Sequence, residues 1–328
     1  MILKMESPSP NVTRLGVRSQ FPKVKSYLKA YTLGVETLDS EELPRLRRYA
    51  ASGTFRFRYA PELSENSYGA GSAGIDLMRV VEAHRWKAIQ GALRGTSDWN
   101  ADWRLTIAYE HWHWRLTCAT QALALDQFRR GDRPQLLGFL FLHRMGMHIA
   151  NCVTLGWNDW AIELTQRVHW GLDNNCFNDG GDEAHRRTQL FVLRLIGDWQ
   201  GWPERNWPSC AYDEPLFTGL LERWRDEDPA ALTPFLLAAC DRHTHQARYD
   251  SNKAFFDLPW SGMEYVPSEV LAVLRLRSLS GLRNPDASAL DHPLMNTQLG
   301  RLPEVSAPCT DHLLEDVLAR ARQELPEL

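Results

Sequence analysis

The sequence predicts a mainly α-helical protein, an antiparallel helical array or short α-solenoid, with a small N-terminal segment that includes one candidate β-strand. Three observations carry this reading. From Asp98 onward, apolar residues recur every three or four positions in run after run. Glycine or proline stands at the ends of most of these runs. Only one stretch alternates with the period of a strand, Gly53 to Ala60, with Phe55, Phe57 and Tyr59 on one side and Arg56 and Arg58 on the other.

No pairing partner for that strand is evident, because Ser64 to Gly74 is rich in glycine and serine and reads as a loop. Ile75 to Leu93 has helical spacing and stops at Gly95, which sets residues 1–95 as the N-terminal segment and 96–328 as the helical array. In Trp99 to Arg130 one apolar row runs through Trp103, Ile107, Trp114 and Cys118. A second runs through Leu105, Trp112, Leu116 and Ala119, and two apolar faces make this a central helix. Leu136 to Leu155, Trp157 to Trp170 and Glu183 to Trp199 follow as helices, the first two closed by Gly156 and Gly171. Helices of this length joined by short loops must turn back on one another. Beyond the Trp- and Pro-rich loop Gly201 to Pro208, helical runs are expected at Glu214 to Arg225, Pro229 to Arg248, Pro267 to Ser280 and Asp311 to Glu324, with a loop-like tail between the last two.

Charge excludes one class of function. Lys and Arg number 37 against 41 Asp and Glu, a net charge of −4, so no basic excess offers itself to nucleic acid. The longest apolar run, Leu136 to Leu142, is far short of the roughly 20 residues that cross a bilayer, so no membrane role is expected. Met1 to Asn11 carries Lys4 and Glu6 and lacks a secretory apolar stretch, and six cysteines stand singly without a C-x-x-C pair. A reducing cytoplasm suits both features. The thirteen tryptophans point to a tight interior, a sticky surface, or both.

Candidate chemistry is thin. His111 and His113 stand i, i+2 on a helix, about 200° apart, so they cannot share a metal ion. His143 and His148, at i, i+5, do not face one way either, and Asp173 to Glu183 departs from the calcium-loop spacing. Neither metal nor cofactor is expected. Phosphate-loop and serine-hydrolase signatures do not occur. Gly69, Gly71 and Gly74 precede a helix and could hold an anion at its start, but no strand is expected before them, so the stretch reads as a flexible connector rather than a dinucleotide site. The row Thr106, Glu110, His113, Thr117 and Gln121 lies along one side of the central helix. It reads first as a solvent-facing strip or a buried polar network, and second as the setting of a Glu110/His113 acid-base pair in a helical enzyme.

Tyr265-Val266-Pro267-Ser268-Glu269-Val270-Leu271-Ala272, continued by Leu274 to Arg277, resembles the aromatic-to-Glu helix near the end of bacterial immunity proteins. Asp291-His292-Pro293-Leu294-Met295 is similar to the short segment placed behind that helix in the helical families of the PoNe-immunity type, which neutralise nuclease toxins delivered by type VI secretion. The resemblance implies a non-catalytic immunity protein whose partner is a cognate secreted toxin. Mild acidity suits a basic partner. Candidate partner-binding residues are Asp213, Glu214, Asp226, Glu227 and Asp228, with Asp182 and Glu183 close by in sequence. A homodimer, and a helical scaffold for an unrelated partner, remain open at this point.

Overall fold

A computed structural model describes residues 12–31, 42–58, 64–132, 140–177, 186–251, 254–259 and 262–328. Among them are eleven helices and one two-stranded sheet, so the mainly helical array is the observed architecture. Helices α1 (Val24–Tyr31) and α2 (Glu42–Ser52) precede strand β1 (Phe55–Phe57). The alternation at Phe55 and Phe57 does make a strand, and its partner lies inside the expected loop: β2 (Asn66–Tyr68) pairs antiparallel, with Phe55 opposite Tyr68. The pair is held by packing, for Phe55 and Tyr68 stack at 4.7 Å and Arg48 lies over the Phe55 ring.

Helix α3 (Ala70–Arg94) starts five residues before the apolar periodicity does, and α4 (Trp99–Arg129) follows across a turn at Gly95, whose φ of +78° suits glycine. The two pack together along their length, so the position near residue 95 is a turn between partners within one continuous core. Gly74 allows this approach, because a Cβ there would stand 3.0 Å from the Leu116 Cβ.

Helix α5 (Leu142–Leu155) begins later than the apolar run suggests. Phe141 is extended and Leu140 bridges to Phe177, while 133–139 lie outside the described residues. Helices α6 (Asn158–Asp173), α7 (Arg187–Trp199), α8 (Pro215–Arg223) and α9 (Pro229–Gln246) then follow as spatial neighbours in chain order. Helix α10 (Ser268–Leu279) leaves that order and inserts against α5, α7 and α9, with every residue from Ser268 to Arg277 buried. Helix α11 (His312–Glu324) returns to α2 and α3, where the Glu324 carboxylate accepts from Thr54 Oγ1 and the Ala70 amide. The two ends of the chain thereby close the array into a single core.

Candidate functional site

The polar row on α4 is buried rather than solvent-facing: Thr106, Glu110, His113, Thr117 and Gln121 are all below a tenth exposed. Thr106 and Thr117 donate to the carbonyls of Asp102 and His113 one turn back. Glu110 finds its partners on the neighbouring helices, with Arg85 Nη2 of α3 2.9 Å and His148 Nδ1 of α5 3.2 Å from its Oε2. Burial alone would raise its pKa, but the Arg85 guanidinium and His148 hold the carboxyl down at about 2. His113 Nδ1 instead lies 2.6 Å from the Gly74 carbonyl, and burial lowers that imidazole to about 4. Glu110 and His113 are thus drawn to different neighbours, inside a core that seals both from solvent.

Around Glu110 the constellation widens to residues that sequence spacing could not connect. His111, also of α4, stacks on Trp160 of α6 at 3.9 Å, and Glu163 on the same helix lies 3.9 Å from its Nε2. Glu163 is bound in turn by Arg115 and Arg167. His148 Nε2 lies 3.4 Å from Cys152 Sγ one turn along α5. Burial pushes the Cys152 thiol well above its ordinary pKa, with the Glu110 charge acting in the same direction.

Of the residues that carry the immunity resemblance, Tyr265 to Arg277 sit in the interior with His292 and Leu294, while Asp291 and Pro293 are exposed. The Tyr265 hydroxyl donates to the Pro22 carbonyl, and Ser268 Oγ donates to Asn151 Oδ1 at 2.6 Å. Glu269 Oε1 lies 2.8 Å from His243 Nδ1; burial would lower this histidine, and Glu269 more than reverses that. Arg275 donates to the carbonyls of Thr154 and Pro303, and Arg277 to those of Trp224, Asp226 and Arg283. His292 stands 3.4 Å from Asp241, which also receives Arg14. In this chain the motif is a brace joining α10 to the N-terminus, α5 and the tail.

At the surface, the end of α7 and the loop after it form a groove of about 210 Å³. Gly201, at φ +64°, stops α7 and turns the chain so that Trp202 lies back over the helix. Trp202 and Trp207 wall the groove and meet His169 of α6 edge-on at 5.6 and 5.3 Å. Its cations are already engaged. Arg205 pairs with Asp173 and lies over Trp207, while Arg194 lies over Tyr212 and donates to the Ala211 carbonyl. Asp198 on the rim accepts from Trp224 Nε1 and Arg225, and Glu204 accepts from the Tyr212 hydroxyl at 3.4 Å.

These contacts bring the segments bearing the candidate acidic residues to the groove. Tyr212 precedes Asp213 and Glu214, and Arg225 precedes Asp226, Glu227 and Asp228. Compared with known protein families, curated proteins and solved structures, the chain matches none. The roles of these carboxylates therefore rest on their own surroundings. Asp213 and Glu227 are exposed, Asp213 lying 3.6 Å from Arg187. Glu214 receives Arg242, a buried cation also paired with Asp257, and Asp228 caps α9 by accepting from the Ala230 amide at 2.9 Å. Asp226 is half-buried, its carbonyl held by Arg277. Asp182 and Glu183 lie outside the described residues. The loop GWPERNWP, which supplies Trp202, Pro203, Glu204, Arg205 and Trp207, was the sequence signal for the groove; His169, Arg194, Gly197, Asp198 and Leu221, which complete the lining, had none.

Proposed function

We propose that this chain is an immunity protein, a non-catalytic helical partner that binds a cognate secreted toxin, specifically a nuclease effector of a type VI secretion system, and occludes its active site. The groove at the end of α7 carries the reading. It offers aromatic walls from Trp202 and Trp207, and a carboxylate edge from Glu204 with Asp213 and Glu227 on the adjoining segments. Aromatic anchors in a preformed concavity supply most of the affinity in tight interfaces, and complementary charge raises the association rate. A nuclease presents lysines and arginines to its substrate, so an acidic rim faces chemistry it can pair with. The sealed Glu110 and His113 favour binding over catalysis, since a general acid and base must reach a substrate.

The test is co-expression with a toxin encoded beside this chain's gene. Cells making that toxin should survive only when the wild-type chain is present. Purified partners should form a complex whose association slows as salt is raised. Replacing Glu204, Asp213 and Glu227 with lysine should slow association, and Trp202→Ala should weaken the complex by about 30-fold or more, the scale of an interfacial anchor. The proposal fails if the neighbouring gene product is not toxic, or if the wild-type chain neither binds nor rescues.

A further inference from the structure

His111, His148 and Cys152 meet in the interior although they come from two helices and no sequence pattern relates all three. Each is essentially without solvent exposure, and one ligand-capable atom from each lies within 4.8 Å of the other two. His148 and Cys152 are i, i+4 on α5, and His148 Nε2 stands 3.4 Å from Cys152 Sγ. A zinc ion with ordinary bonds, about 2.0 Å to nitrogen and about 2.3 Å to sulfur in tetrahedral array, holds those two atoms roughly 3.5 Å apart. The pair already has that spacing.

Two further observations point to a ligand. His111 is fully buried, and among the described residues neither of its ring nitrogens has a hydrogen-bond partner, Glu163 standing 3.9 Å from Nε2, which is an unfavourable way to hold an imidazole. The second is Glu110, whose Oε2 lies 3.2 Å from His148 Nδ1 and is fixed in place by Arg85 at 2.9 Å. A carboxylate on that side favours the tautomer with its proton on Nδ1, which turns the Nε2 lone pair toward Cys152, the role second-layer carboxylates have at metal centres. Trp160, which covers His111, also lines a surface hollow with Gly156, Trp157 and Pro308.

We propose that His111, His148 and Cys152 form a binding site for a d10 metal ion, zinc(II) or copper(I). Two imidazoles and one thiolate select this class over magnesium or calcium, which take oxygen ligands. Binding forms two metal–nitrogen bonds and one metal–sulfur bond, the Cys152 thiol gives its proton to solvent, and no electron is transferred. The site is independent of toxin binding. It gives α4 and α5 a shared cross-link at the point where Glu110 already ties both to α3.

The experiment uses the full chain, stripped with a chelator and dialysed. Zinc is titrated against a chromogenic competitor, copper(I) anaerobically against bicinchoninate, and cobalt(II) as a spectroscopic stand-in. About one equivalent of zinc or copper(I) should bind, and which of the two wins the competition assigns the ion. Cobalt should give the near-ultraviolet charge-transfer band of a thiolate ligand, a readout of Cys152 in the unmutated protein. Cys152→Ala should abolish the band and stoichiometric binding, and so should His111→Phe, which keeps a ring against Trp160. Cys309→Ala, which removes the most accessible thiol, should leave both unchanged. Circular dichroism verifies that each variant is folded. Substoichiometric binding of both ions by the wild-type chain, absence of the cobalt band, or full affinity in either ligand variant overturns the site.

Discussion

Replacing Gly146 with alanine sets two opposed effects against each other on one atom. Alanine is better than glycine in a helix by about 1 kcal/mol, and Gly146 is inside α5, so propensity alone favours the change. The new methyl, however, would stand 2.6 Å from Gln189 Cβ, 2.8 Å from its Cγ and 3.1 Å from its Cα. Gln189 cannot step aside cheaply, because the third of these atoms is α7 backbone. Its amide also donates to the carbonyls of Asp257 at 2.6 Å and His143 at 3.3 Å. Overpacking a rigid core costs about 1–3 kcal/mol, and disturbing two net hydrogen bonds adds about 1 kcal/mol each at most. The net expectation is a loss of about 1–3 kcal/mol for Gly146→Ala. Gly197 on α7 is the matched control, for its added Cβ would meet only Trp202 Cε3, at 3.8 Å. There propensity acts unopposed, and Gly197→Ala should gain about 0.5–1 kcal/mol. Urea unfolding followed by tryptophan fluorescence and far-ultraviolet circular dichroism measures both. A Gly146→Ala midpoint equal to or above wild type refutes the argument, since α5 and α7 would then not approach as closely as described.

Three other expectations follow from named contacts. Asp228→Ala removes the α9 cap and should cost about 1 kcal/mol, whereas Glu227→Ala, one residue away and exposed, should change stability by no more than about 0.5 kcal/mol in the same unfolding assay. Arg277→Met leaves the carbonyls of Trp224, Asp226 and Arg283 without their shared donor and should lower stability by about 2–4 kcal/mol; an unfolding midpoint at the wild-type value would remove the bracing role of α10. Burial, and after it the charge of Arg205, holds His169 at about 4 against the ordinary 6.5. Its pKa is lower folded than unfolded, so its share of stability is complete above pH 6.5 and is lost as pH falls toward 4. His169→Phe should therefore lose less stability than wild type between about pH 7.5 and about pH 4.5, with equal losses counting against the assignment.

The helices that could be read from sequence are those whose apolar rows run uninterrupted to a glycine. Helix α4 matches its expectation to one residue, because Trp103, Ile107 and Leu116 keep spacing up to the stop near Gly131. Strand β2 was hidden, since Asn66 and Ser67 favour turns and only Tyr68 carries an apolar face; its pairing is supplied by Phe55 and Phe57 across the sheet. The apolar run before α5 misleads for the opposite reason. Leu140 and Phe141 are apolar because they pack on the core, yet Phe141 is in extended backbone and Leu140 bridges to Phe177. For the polar row, spacing placed Glu110 and His113 on one side of α4, and that much was legible. Their partners were not, because Arg85, Gly74 and His148 arrive from α3 and α5, and no local pattern encodes which helix lies opposite. The same limit hid Cys152 from His111. The acidic surface residues were found by composition alone, which cannot separate the exposed Glu227 from Asp228, engaged as a cap, or Glu214, engaged with a buried arginine.

A helix with no outward side cannot be laid onto a finished surface, and α10 is such a helix. During synthesis it leaves the ribosome after α5, α7 and α9 have been made, so until then the apolar flanks that will enclose it have nothing to meet. Its fastenings extend in both directions along the chain, from the Pro22 carbonyl that receives Tyr265 to the Pro303 carbonyl that receives Arg275. Seating therefore requires segments that lie far to either side of α10 in the sequence. A nascent chain halted before Ser268 would hold helices without a closed interior, a species exposed to chaperones and proteases and lacking the rigidity of the completed array. A chain cut before Ser268 should therefore fail to reach the folded array rather than merely lose a tail.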